Sequence, residues 1–268
     1  MKRVLSVQDL SCLGKCSLTV ALPTFSAMGC ECAVLPTTLL STHTAFPSPH
    51  IRSLTGDMDE IRQHWVTTGV KFDAISVGYL SDPGQTAAVE RVLEDFKTLT
   101  VIDPVMGDHG KLYRAITPEH VEAMAKLCRR GTVLLPNVTE AAFLTGIPYR
   151  ETGDKGYYRE LLAGMQEFGA DAVIITGIAP EEGKTGIAGW EKEIGEFRYI
   201  SSRIGRSCHG TGDLFAAVFT GALVQDHTMP EAATLAAKFV KRVIAATPES
   251  TPFGINFETQ LPWLWEQL

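Results

Sequence analysis

The sequence predicts one α/β domain with a mainly parallel sheet covered by helices on both faces, and three observations carry that prediction. Short β-branched or apolar runs alternate with longer amphipathic stretches, a rhythm that implies right-handed crossovers between parallel strands. No linker rich in Pro, Ser and Gly and no charge block divides the 268 residues, so residues 1–268 read as one domain. The rhythm changes only late, where a hairpin pattern adds an antiparallel edge.

The strand-like runs are residues 3–7, 33–36, 74–77, 99–102, 132–135 and 172–176, and the helix-like stretches between them are 17–28, 59–66, 85–96, 118–128 and 156–168. Asp82-Pro83-Gly84-Gln85 supplies a capping residue, Pro at the first helical position and Gln three residues on; Thr117-Pro118 repeats the start signal. Residues 187–190 and 197–200 flank Glu191-Lys192-Glu193-Ile194-Gly195 as a β-hairpin. Two Ala-rich helical stretches follow at 213–224 and 230–246, then a short one at 257–265.

Composition narrows the function. With 24 Lys+Arg against 31 Asp+Glu the net charge is −7, which argues against a general nucleic-acid or anionic-membrane surface. Hydrophobic residues at 45% and charged residues at 21% exclude disorder. The longest uncharged apolar stretch, residues 214–224, falls short of a membrane span, and the N-terminus lacks the apolar core of a signal peptide. The expected location is the cytoplasm, where the six cysteines stay as thiols. Their spacing does not match a zinc knuckle.

In open α/β sheets ligands bind beyond the carboxyl ends of the strands. The sharpest cluster is Cys208-His209-Gly210-Thr211-Gly212-Asp213, directly before an apolar helix. Two glycines let successive amides point at one spot, and the helix start adds unpaired donors and partial positive charge, which suits a transferring phosphoryl group. Asp213 could take the proton of an attacking hydroxyl, or be an ordinary first-turn acid. Asn137-Val138-Thr139-Glu140 reads either as a capping box or as an amide and a carboxylate holding magnesium near phosphates. Asp103, before Pro104, is either a turn initiator or another hard oxygen ligand.

Two alternatives fail. Gly183-Lys184-Thr185 mimics a phosphate-binding P-loop, but five residues separate Gly177 from Gly183 instead of four, Glu181 and Glu182 intervene, and a strand follows. No Gly-x-Gly-x-x-Gly follows the first strand, which removes the main support for a dinucleotide-binding domain. Of seven histidines, His43 and His209 have candidate roles, whereas His50, His64, His109, His120 and His227 read as surface or helix-end residues.

Taken in order, Val7-Gln8-Asp9 with Gly14, Ser41-Thr42-His43-Thr44, Gly78-Tyr79-Leu80, Asp103-Pro104-Val105-Met106-Gly107, Pro136-Asn137-Val138-Thr139-Glu140 and Gly210-Thr211-Gly212-Asp213 resemble the ribokinase-like superfamily, and within it the pyridoxal kinase group. The resemblance implies a three-layer fold and an ATP- and Mg²⁺-dependent kinase for the 5′-hydroxymethyl of a vitamin B6 form, with room for a monovalent cation such as K⁺. It implies Asp213 as base, the Gly210-Thr211-Gly212 amides as anion hole, and Asn137, Glu140 and Thr176 on the ATP. Asp103 and Glu140 would serve the metal; Asp9, His43, Thr44 and Tyr79 would line the pyridine pocket, with Asp213 at the acceptor. A homodimer without a separate lid domain is expected, residues 45–55 covering the substrate instead.

Three departures stand out. Pyridoxal kinases usually carry Ser where this chain has Asp9, and many relatives have Lys where it has Thr176. Cys208-His209 is similar to the hydroxymethylpyrimidine kinases, yet those typically follow Gly-Thr-Gly with Cys, whereas here Asp213 stands. A hydroxymethylpyrimidine kinase and a non-catalytic binding protein of the same fold are the alternatives.

Overall fold

The computed structural model describes residues 1–206 and 208–268. Eleven strands and nine α-helices are present among the described residues. The strands are β1 (Arg3–Ser11), β2 (Glu31–Leu40), β3 (Ile51–Ser53), β4 (Ala74–Val77), β5 (Leu99–Ile102), β6 (Gly107–Asp108), β7 (Lys111–Leu112), β8 (Val133–Leu134), β9 (Ala172–Ile178), β10 (Lys184–Glu191) and β11 (Gly195–Ser202). The helices are α1 (Leu18–Ala27), α2 (Thr55–Thr68), α3 (Pro83–Asp95), α4 (Pro118–Cys128), α5 (Val138–Thr145), α6 (Lys155–Gln166), α7 (Thr211–Val224), α8 (Met229–Ala246) and α9 (Leu261–Trp265).

Nine strands form one sheet in the order β11-β10-β9-β8-β5-β4-β1-β2-β3. The six strands from β9 to β2 are parallel. The late hairpin β10–β11 joins antiparallel on β9, as the sequence predicts. An unforeseen antiparallel strand, β3, closes the other edge on β2. Residues 45–55 are therefore not a loop throughout: Ile51–Ser53 is this edge strand and Thr55 opens α2.

Both faces of the sheet are buried, which is why its strands read as apolar runs. Leu5, Val7, Ile75, Val77, Ile102, Leu134, Val173 and Ile175 point to one face and pack with residues of α2 to α6, among them Met58, Val89, Met124, Ala141 and Leu161. The opposite face, with Val101, Val133 and Ile174, packs on Val20, Leu214, Phe219 and Phe239 of α1, α7 and α8. Three layers result.

Local chemistry sets the helix starts. Asp82 caps α3, its carboxylate accepting from the Gln85 amide at 3.2 Å, and Thr117 caps α4, accepting from the His120 amide at 3.4 Å. His120 is a helix-end residue, one of the two alternatives the sequence suggests, but at 1% exposed it is buried and not on the surface. Among the described residues no helix is long and apolar enough to cross a membrane.

Candidate active site

The chain leaves β1 for β2 on one side and later returns to β4 on the other, so β1 lies where the strand order reverses. Open sheets of this type form a crevice at that point. Asp9 stands near the carboxyl end of β1, at a register shift between Gln8 and Leu10, where a bulge re-aims the side chain. It is 4% exposed. Ser17 Oγ donates to its Oδ1 at 2.5 Å, and Ser11 Oγ donates to its Oδ2 at 3.3 Å. Burial, opposed chiefly by the Ser17 hydroxyl, pushes the Asp9 carboxyl up to about 7, with Asp213 adding repulsion.

Asp213 occupies the first turn of α7 and is half-buried. Burial raises its pKa, while hydrogen bonding from the Ser17 amide and its own amide lowers it, as does His209. Before it, Gly210 takes a left-handed φ of +85° and lies against loop 12–17: a Cβ there would stand 2.3 Å from the Lys15 carbonyl oxygen. Thr211 Oγ1 donates to the Cys208 carbonyl at 3.2 Å. A left-handed glycine and an uncapped helix start thus stand directly before Asp213.

Asp103 follows β5, is 8% exposed and faces that helix start: a Cβ on Gly212 would lie 3.7 Å from its Oδ2. Its pKa is raised by burial, by Glu140 and by Asp213. Glu140 and Asn137 form a complete capping box on α5. The Asn137 amide donates to Glu140 Oε2 at 2.8 Å, and the Glu140 amide donates to Asn137 Oδ1 at 3.0 Å. Glu140 Oε1 also accepts from the Met106 amide at 3.0 Å, and Asn137 Nδ2 donates to the Gly107 carbonyl at 2.8 Å. The box therefore pins the turn after β5. Thr176 lies in β9 and bridges Asn137.

On the far side of Asp9, the Tyr79 phenol is pushed up to about 12 by burial, Asp9 and Asp82. The His43 ring is 4% exposed and packs on Phe46 and His209, with centroids 4.8 and 5.0 Å away. Burial and His209 lower its pKa, and its Nε2 has no described partner. Thr44 is exposed, in the turn after it.

The structure thus gathers Asp9, Tyr79, Asp103 and Asp213 around one strand-end crevice, with His43 beside the glycine turn through His209. It also brings in residues that sequence reasoning missed. Ser11 and Ser17 hold Asp9, and the Cys16 thiol, pushed up to about 12 by burial and by Asp213 and Asp9, faces both carboxyls. Tyr113 is raised by burial and by Glu140, Asp108, Asp103 and Asp213, so it borders the acidic cluster from beyond the β6–β7 hairpin. Their sequence signal was the spacing of Ser11, Cys16 and Ser17 after Asp9, which acquires meaning only once the loop folds back.

A family model described as phosphomethylpyrimidine kinase matches residues 19–256. A Bacteroides thetaiotaomicron protein crystallised with pyridoxal is 34% identical, with a TM-score of 0.93 over 98% of this chain and 95% of that one. The pyridoxal kinase of Lactobacillus plantarum is 30% identical, with a TM-score of 0.92 over 100% of this chain and 98% of that one. The pyridoxine/pyridoxal/pyridoxamine kinase of Bordetella bronchiseptica is 29% identical over 92% of this chain and 90% of its own. With this likeness running through nearly the whole chain, the protein belongs to the phosphomethylpyrimidine kinase family, in its ribokinase-like pyridoxal kinase group, and is a phosphotransferase with an alcohol acceptor.

Proposed function

We propose that the protein transfers the γ-phosphoryl group of ATP to the 5′-hydroxymethyl of a vitamin B6 vitamer (pyridoxal, pyridoxine or pyridoxamine), so salvaging pyridoxal 5′-phosphate. The observation that carries the reading is Asp213 in the first turn of α7, directly behind the Gly210-Thr211-Gly212 nest and across the crevice from Asp9. A carboxylate whose pKa is raised by burial is a stronger base for the acceptor hydroxyl. The nest amides and helix start stabilise the negative charge of the transferring group. Asp9, His43, Thr44 and Tyr79 would surround the ring, and Asn137, Glu140 and Thr176 would lie on the nucleotide side.

Two buried carboxyls, Asp103, whose proton affinity burial and Glu140 raise, and Glu140, raised by burial and Asp108, fit a divalent cation. Mg²⁺ commonly takes one or two carboxylates plus substrate phosphates, so these two residues suffice. When bound, it would neutralise phosphate charge. By family likeness the reading includes a cytoplasmic homodimer and leaves K⁺ as an additive to test.

The second reading is a hydroxymethylpyrimidine kinase, favoured by the family model and by Cys208-His209. The deciding experiment is Mg²⁺-dependent ADP release with pyridoxal, pyridoxine, pyridoxamine and hydroxymethylpyrimidine, with and without K⁺. Asp213→Asn is the control, expected to cut kcat by about two to four orders of magnitude while nucleotide binding stays nearly intact. Turnover on a B6 vitamer that collapses in the control supports the first reading. Turnover on the pyrimidine alone supports the second. Affinity without turnover on any of the four would make the protein a binder.

A further inference from the structure

Ser17 has φ +50° and ψ −128°, a conformation open to glycine and unfavourable for a residue with a Cβ. It stands directly before α1, where serine commonly turns its hydroxyl onto the helix amides, but it makes no such capping bond. The side chain points the other way. Its Oγ donates to Asp9 Oδ1 at 2.5 Å, in a position 4% exposed. A strained serine with an unused capping role is best explained by its hydroxyl.

We propose that Ser17 is a positioning residue of the phosphoryl-transfer site, its hydroxyl fixing the Asp9 carboxyl so that it faces the acceptor from a set direction. The inference rests on the kinase reading and deepens it. The titratable groups facing Asp9 are Asp213 on α7, Cys16 in the loop before α1 and Tyr79 after β4, and no ion pair reaches it among the described residues. Ser17 is the foremost influence holding the Asp9 carboxyl down against burial, with Ser11 a weaker donor at 3.3 Å. Without the Ser17 hydroxyl, Asp9 would keep its proton to higher pH and lose its orientation.

The test exploits the conflict between strain and hydroxyl. Ser17→Gly keeps the amide, relieves the backbone and removes the hydroxyl. Its expected Tm is at least that of the wild type, while kcat/KM for the vitamer falls about tenfold, mainly through KM. Ser17→Ala should lose as much activity without the gain in stability. In an Asp9→Asn background, Ser17→Gly should cause little further loss, because the hydroxyl acts through Asp9. Carbon-13 titration of the Asp9 carboxyl supplies a readout independent of turnover, with a midpoint about one pH unit higher in Ser17→Gly. An unmoved midpoint overturns the proposal whatever the kinetics show, and so does full additivity with Asp9→Asn. Should the wild type turn over no vitamer, the kinase reading falls and the titration alone decides: a raised midpoint upholds the Ser17–Asp9 link, an unmoved one removes it.

Discussion

Gly210 and Lys15 meet backbone to backbone: a Cβ on Gly210 would stand 2.3 Å from the Lys15 carbonyl oxygen, and Gly210 holds a φ of +85°. The glycine turn before α7 is thus built against the loop carrying Ser17, and neither can shift alone.

This contact separates the two glycines of the nest. Gly210→Ala meets both a left-handed backbone and fixed main-chain atoms, so it should destabilise the fold by about 2–3 kcal/mol and abolish most activity. Gly212→Ala has room, its nearest neighbour being Asp103 Oδ2 at 3.7 Å, and should fold with a near wild-type Tm. Gly212→Val should crowd the nest and lower kcat without unfolding the protein. Urea titrations alongside ADP-release kinetics check all three; equal stability of the two alanine variants would contradict the argument.

The capping box predicts a stability effect that magnesium does not alter. Asn137→Ala removes the bond from the Glu140 amide and the bond to the Gly107 carbonyl, and should cost about 1–2 kcal/mol. The same loss should appear in EDTA and in Mg²⁺. A variant of unchanged stability would show that the turn after β5 holds itself in place.

Buried carboxyls give the ligand-free protein a pH dependence of definite sign. Asp9, Asp103 and Asp213 are all raised above the usual carboxylate range by burial. The native state therefore holds protons that the unfolded chain has already released. Their contribution is fully present below about pH 4, the ordinary aspartate value, and for Asp9 is lost as pH rises through about 7. Tm should fall between pH 5 and pH 8, and Asp9→Asn should flatten that slope. A Tm that climbs steadily to pH 8 would reverse the sign and refute the assignment.

Phe46 stacks on Phe253 at 5.6 Å and packs on His43 at 4.8 Å, tying residues 45–50 to the site. If that short segment covers the substrate, Phe46→Ala should raise KM for the vitamer about five- to tenfold with little change in kcat. An unaltered KM would end the covering role.

Much of this was legible in the sequence because the physics was local. The runs at 74–77 and 99–102 match β4 and β5 residue for residue, and the Thr117-Pro118 signal places α4 at its observed start. Helix α5 escaped because its eight residues follow a signature that reads equally as a metal site. β3 escaped because Ile51-Arg52-Ser53 is short and fully exposed, so it leaves no alternation. The grip of Ser17 on Asp9 depends on a bulge in β1 and a left-handed residue, and the approach of Asp213 to them on a helix beginning nearly two hundred positions later. No periodicity encodes that convergence.

The placement of β1 has a consequence for the ribosome. Val4 of the first strand packs with Ala21 and Phe25 of α1 but also with Ala217 and Val224 of α7. At about 5–20 residues per second, a nascent chain carries β1 and α1 for roughly ten to forty seconds before α7 emerges to cover them. During that interval an apolar surface meant for the interior faces the cell. The last third of the polypeptide thus supplies both Asp213 and the cover for the first strand, and a truncated product ending before α7 would be a substrate for chaperones and proteases.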